Sequence, residues 1–150
     1  MGLRGNYSAA FYFHYVGRIF IDNLYLLDDR LGMLIDDLGG IGPRDALLAI
    51  SFEPYALEAV KATQHGAAAG AAVVAITDTA VSPIAEIARE VLLVPTGSTS
   101  FYQSLIPTIS ILESLLCCLA AKGGEENPRA RAGRIRSAGA VWRVLAGSPR

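Results

Sequence analysis

Two short apolar runs, set one helix-length apart, constrain this chain more than any other feature. Asp45-ALLAIS-Phe52 and Ala71 to Thr77 (AAVVAIT) lack the polar alternation of a half-exposed strand. Each reads as a strand covered on both faces. Between them, Leu57, Val60, Thr63 and Ala67 fall near one face of a helix from Tyr55 to Gly70. Pro54 stands where its fixed φ suits a first helical turn, and Gly70 where a helix stops. Val91 to Val94 (VLLV) predicts a third strand, ended by Pro95 and Gly97. Strands joined through helices in this way imply a parallel sheet with helices on both faces and right-handed crossovers.

The flanks fill out the same pattern. Ser8 to Phe20 predicts an aromatic-rich helix, Asn23 to Leu27 (NLYLL) a strand, Met33 to Leu38 a short helix and Gly39 to Arg44 a loop. Asp78 to Ile84 predicts a turn entering a short helix through Ala88. Ser98-Thr-Ser100 are placed to cap a long helix in which Leu105, Ile109, Leu112, Leu116 and Leu119 recur at helical spacing. Only Met1-Gly-Leu precedes the Gly5 turn, so the first strand is expected to be cut short. A misplaced start, a fragment, or an edge rebuilt from elsewhere would each explain it. The expected fold is an α/β three-layer sandwich with a mostly five-stranded parallel sheet.

At 150 residues the chain suits one domain, read as residues 1–124 followed by a tail over 125–150. Hydrophobic residues reach 52 %, a surplus that a subunit interface would absorb. The net charge of −1 gives the whole chain no nucleic-acid signature. Cys117 and Cys118, the only cysteines, are neighbours that cannot bridge each other without strain, and no Cys/His cluster suggests a metal. A reducing cytoplasm is the expected setting, with no signal peptide and no membrane span. The tail carries Arg129, Arg131, Arg134, Arg136, Arg143 and Arg150 against Glu125 and Glu126. It reads as a basic arm or, more plainly, as a terminal amphipathic helix or frayed end.

In a parallel α/β sheet, ligands bind beyond the carboxyl ends of the strands. Three loops there carry suitable groups, each with an ordinary alternative. The Gly2 to Ser8 turn, with Gly5, Asn6 and Ser8, could offer backbone N–H groups and a helix N-terminus to an anion, or simply start a helix. Ser51 and Tyr55 follow the first buried strand, in a stretch that would also serve as a capping turn. Thr77 and Ser82 follow the second, where Asp78 or Ser82 could equally cap a helix.

Taken together, the run from Asp45 to Val60 (ALLAISFEPYALEAV), GAAVVAITDTAVSPIAEIAREVLLVPT and SFYQSLIPTISILESLLCCLAAKGG resemble the sugar-isomerase (SIS) domain of RpiR/MurR-type transcriptional regulators. GLRGNYSAAFYFHYVGR and NLYLLD are similar to its first half, so the resemblance spans Gly2 to Gly124. It implies a five-stranded parallel sheet, a homodimer formed through helices, and a pocket for a phosphorylated sugar or related effector. Ligand contacts would fall on Gly5, Asn6, Ser8, Ser51, Tyr55, Thr77 and Ser82, with no cofactor. DNA contact would belong to a helix-turn-helix domain absent from this chain.

The loop that commonly reads S-x-S-G-x-T in the family has here Ser51, Glu53, Pro54 and Ala56 at the matching positions. Only the first serine is kept. A carboxylate about 5 Å from a phosphate, at an effective dielectric of about 20, repels it by roughly 3 kcal/mol. That is on the order of a hundredfold in affinity, so Glu53 is expected to point outward. The leading expectation is a sensor module and not an enzyme. An isomerase would need a base, for which His14, His65 and Glu113 are the candidates, none in a recognisable catalytic motif. A degenerate module kept for dimerisation is the third alternative.

Overall fold

The computed structural model describes residues 1–29 and 32–123, and the arginine-rich tail lies outside them. Helix α1 (Tyr7–Gly17) follows a single 3-10 turn at Arg4–Asn6, and a one-turn helix α2 spans Leu34–Asp37. Then come β1 (Ala46–Ile50), α3 (Leu57–Ala68), β2 (Ala72–Thr77), β3 (Glu90–Leu93) and α4 (Ile106–Gly123). The three strands pair in parallel in the order β1-β2-β3. Ahead of them Gly2 bridges Ile50 in parallel, and the Ile50 N–H donates to the Met1 carbonyl at 3.0 Å. The first three residues thus lie against the free edge of β1 as a stub of a further strand.

The unbroken apolar runs are explained by two cores, one on each face. Leu47, Ala49, Val73 and Ala75 point to one side and pack with Ala59 and Ala62 of α3 and with Leu34, Leu38 and Ile84. Ile50 and Ile76 point to the other and pack with Ala9, Ala10 and Phe13 of α1 and Leu112 and Leu116 of α4. The result is a helix–sheet–helix sandwich, as expected from runs that have no polar face. Gly70 sits at φ +87° and ends α3 in a left-handed conformation that glycine adopts without a Cβ clash.

Three expectations about the elements are corrected. The sheet has three named strands among the described residues, not five. Asn23 to Leu27 forms no strand: Leu24 and Leu26 bury against the α1–α4 core and Leu27 against the other, while Tyr25 is 79 % exposed. The leucines satisfy their burial from an irregular strap, so the apolar spacing is used without a ladder. The helix expected through Ala88 is a series of turns. Its mixed bonds, Ala85 N–H to Ser82 O at 2.9 Å and Ala88 N–H to Ile84 O at 3.1 Å, stop where Arg89 N–H joins the Val73 carbonyl to begin β3.

The helix starts also shift. α3 begins at Leu57, with Ala56 in extended backbone at the cap position. α4 begins at Ile106 with Pro107 in its first turn, where a missing N–H costs nothing. The Ser104 hydroxyl, not Ser98 to Ser100, accepts the Ile106 N–H at 3.3 Å. No helix of the described residues is long and apolar enough to cross a membrane.

Candidate functional site

Because β1 and β2 are parallel, the loops after Ile50 and Thr77 emerge at one edge of the sheet, beside the turn that follows Leu3. Ser51 is buried, its N–H donating to the Ile76 carbonyl at 3.1 Å. Glu53 is exposed, as expected, though it stands in the bend before α3 rather than in a helical turn.

Asp78 ties the two loops together. It accepts the Tyr55 phenol at 2.8 Å and the Glu53 N–H at 3.3 Å, and the Thr77 hydroxyl lies 3.1 Å away. That hydroxyl is also 2.9 Å from Ser82 Oγ, which accepts the Ala85 N–H at 3.2 Å. Burial pushes the Asp78 carboxyl up, but the bonds from Tyr55, Glu53, its own backbone and Thr77 outweigh that and hold it below the usual carboxylate range. Burial, then the Asp78 hydrogen bond and the charges of Asp78 and Glu53, push the Tyr55 phenol up to about 12. Thr77 and Ser82 are fully buried and bonded to each other, so the hydroxyls expected to face a ligand are engaged inside the loop scaffold.

The N-terminal turn forms a second group. Arg4 adopts φ +54°, a left-handed conformation rare for a side-chain-bearing residue and typical of functional turns. Ser8 Oγ donates to the Gly5 carbonyl at 3.2 Å, and Asn6 precedes α1 without capping it. Gly5 lies against Tyr102: a Cβ there would meet the phenol of this exposed side chain, which would have to shift. Gln103, the next residue, donates through Nε2 to the Glu53 carbonyl. The segment ahead of α4 therefore spans both groups, touching the Gly5 turn with one side chain and the Glu53 bend with the next.

An open groove of about 610 Å³ lies at this edge, lined by Leu3, Arg4, Tyr7, Asp28, Asp29 and Glu58. Arg4 reaches Glu58 at 3.7 Å across it, both side chains well exposed. Of the residues singled out in the sequence as ligand contacts, none lines this groove. Arg4, Asp28, Asp29, Glu58, Asp78, Tyr102 and Gln103 were missed. For Asp78 a signal existed, since it directly follows a buried strand at the ligand edge. For the others the sequence shows only isolated polar residues far apart.

The acid–base candidates sit elsewhere. Glu113 accepts the Tyr12 phenol at 2.8 Å on the α1–α4 seam, His65 lies in the last turn of α3, and His14 in the last turn of α1. A second hollow of about 340 Å³, lined by residues such as Pro43, Gly70 and Arg89, opens at the opposite end of the strands.

Comparison with solved structures gives the fold independent support. The sugar isomerase domain of an RpiR transcription factor from Sphaerobacter thermophilus superposes with a TM-score of 0.79 at 26 % identity, covering 87 % of this chain and 72 % of that one. The Vibrio vulnificus NanR protein, in complex with ManNAc-6P, matches at 0.70 and 16 % identity over 97 % of this chain and 56 % of its own. A candidate sugar-phosphate isomerase from Listeria monocytogenes matches at 0.68 and 17 % identity, over 81 % and 68 %. Among curated proteins there is no match. The family model for the SIS domain matches residues 1–120, four-fifths of the sequence, and on that match the chain belongs to the SIS domain family.

Proposed function

We propose that this chain is the effector-binding module of an RpiR-type transcriptional regulator, taking a phosphorylated sugar or related carbohydrate derivative at the carboxyl edge of its sheet without turning it over. The observation that carries this reading is the likeness to the Sphaerobacter RpiR domain, at 26 % identity and a TM-score of 0.79 over 87 % of the chain. The Gly5 turn supports it, because Arg4 and the N–H groups entering α1 stand at that edge and favour an anion. His14 and His65 lie in last helical turns and Glu113 bonds Tyr12 on the α1–α4 seam, none of them in the loops of that edge, which supports a sensor over an isomerase. In a regulator of this kind DNA recognition would fall to a helix-turn-helix unit, and the module would act in the cytoplasm as a homodimer. The exposed apolar residues Ile106 and Leu119 of α4 suit the dimer contact.

A thermal-shift series tests this with phosphosugars and their unphosphorylated counterparts. A ligand that binds only the folded chain stabilises it by about 2.7 kcal/mol at a hundredfold excess over Kd. The expected result is a dose-dependent rise in Tm with a phosphosugar, without product, and an affinity lowered in Arg4→Ala by about 1.5–3 kcal/mol, the value of a charged hydrogen bond, so that most of the rise is lost. Isomerised product would assign the chain to the enzymes instead. A folded chain that responds to no ligand would leave a module kept for dimerisation.

A further inference from the structure

The segment between β3 and α4 brings two side chains to the ligand edge that neither core requires. Tyr102 is 58 % exposed, yet the end of its ring lies where a Cβ on Gly5 would project. Gln103 donates through Nε2 to the Glu53 carbonyl. The pair therefore crosses the edge from the turn that begins the chain to the bend that follows β1. Both keep unused capacity. Among the described residues the Tyr102 phenol makes no hydrogen bond, and Gln103 Oε1 accepts none. A phenol both donates and accepts, and an amide oxygen offers two lone pairs.

Burial does not account for the place of Tyr102. It belongs to neither core cluster. Its ring neighbour Phe101 is wholly exposed, with centroids 6.4 Å apart and planes at 59°. A half-exposed tyrosine presents a flat apolar surface and a polar tip at one point. Arg4 and the N–H groups entering α1 suit an anion but give nothing to an apolar face. Tyr102 touches the residue next to Arg4, so a cation and a flat face stand one residue apart.

We infer that Tyr102 is the platform for a ring-closed sugar phosphate, with the phosphate at the Gly5 turn and the sugar ring across the phenol. The inference rests on the effector reading above and narrows it to one class of ligand. A pyranose or furanose turns C–H groups to one face of its ring and hydroxyls to the rim. The C–H face fits an aromatic surface, and ligand pockets pair such surfaces with a few placed polar groups. The rim hydroxyls meet the Tyr102 phenol and Gln103 Oε1. The corresponding alditol phosphate carries the same phosphate on an open chain, has no rigid face, and loses the stacking.

Calorimetric titration of the full chain tests this with the 6-phosphates of glucose, mannose and their N-acetylated amino sugars, each paired with its alditol. A ring form is expected to bind roughly tenfold more tightly than its alditol, as burial of about 50 Å² of C–H surface gives. Tyr102→Ser should weaken the ring form to the level of the alditol and leave the alditol unchanged, whereas a merely structural role would weaken both together. Tyr102→Phe should keep most of the preference, and Phe101→Ser on the same segment all of it. In the native chain, saturation-transfer NMR from aromatic protons should fall most strongly on the C–H protons of one sugar face. An alditol that binds as well as its ring form, a Tyr102→Ser chain that keeps the preference, or equal losses in Phe101→Ser and Tyr102→Ser overturn the inference and leave the effector reading standing. A folded chain that binds no sugar phosphate overturns both.

Discussion

At the residue scale the ligand edge depends on Asp78 more than on the hydroxyls around it. One carboxylate receives a phenol, an amide and a threonine, and so fixes two loops that are 25 positions apart in sequence. Removing its charge should free Tyr55. In Asp78→Asn the phenol is expected to ionise below the value of about 12 it has in the native chain, as followed by ultraviolet absorbance against Tyr55→Phe. The linkage has two signs. The Tyr55 contribution is complete below the phenol's unfolded pKa of about 10 and is lost as pH rises from there to about 12. The Asp78 contribution, from a lowered carboxyl, is complete above its unfolded pKa and is lost as pH falls through the lower folded value. Urea unfolding of the native chain and Tyr55→Phe should therefore converge in alkali, and those of the native chain and Asp78→Asn in acid. Thr77→Val should cost about 1–3 kcal/mol, since it removes the hydroxyl that bonds both buried Ser82 and the Asp78 carboxylate.

Between the elements, stability comes from apolar burial and not from the polar seam. Leu112 of α4 is fully buried in the core shared with α1 and the sheet. Leu112→Ala is expected to cost about 2–5 kcal/mol by denaturant titration. Tyr12→Phe removes the Tyr12–Glu113 bond across the same pair of helices, but that bond is exposed, so a loss of under about 1 kcal/mol is expected. A larger effect of Tyr12→Phe than of Leu112→Ala would mean that α4 is held by its surface. The helices also show how far local pattern reaches. The apolar spacing of 105, 109, 112, 116 and 119 placed α4, while its true start depended on Ser104, which a search for the first Ser or Thr cluster passes over.

For the whole molecule, the proposed dimer leaves a chemical mark. Cys117 and Cys118 are both exposed on α4, near Leu119. Thiol titration of dilute native protein should modify both quickly. At concentrations where sedimentation shows a dimer formed through α4, the rate should fall. Unchanged thiol reactivity in a proven dimer would place the contact on another face.

What the amino-acid sequence determined by itself was the class of fold and which loops share the carboxyl edge of the sheet, where the candidate site is proposed. Unbroken apolar runs at Ala46–Ile50 and Ala72–Thr77 can be buried only between two layers, and the helical period between them makes the strands parallel. Burial of this kind is encoded locally, residue by residue, and so it is legible. The tertiary structure decided what the side chains do. It turned Asn23 to Leu27 into a strap, joined Thr77 to Ser82, set Tyr102 against Gly5 and gathered Arg4, Asp28 and Glu58 around one groove. Hydrogen-bond partners and shared cavities depend on which distant segments meet, and no local period records that meeting.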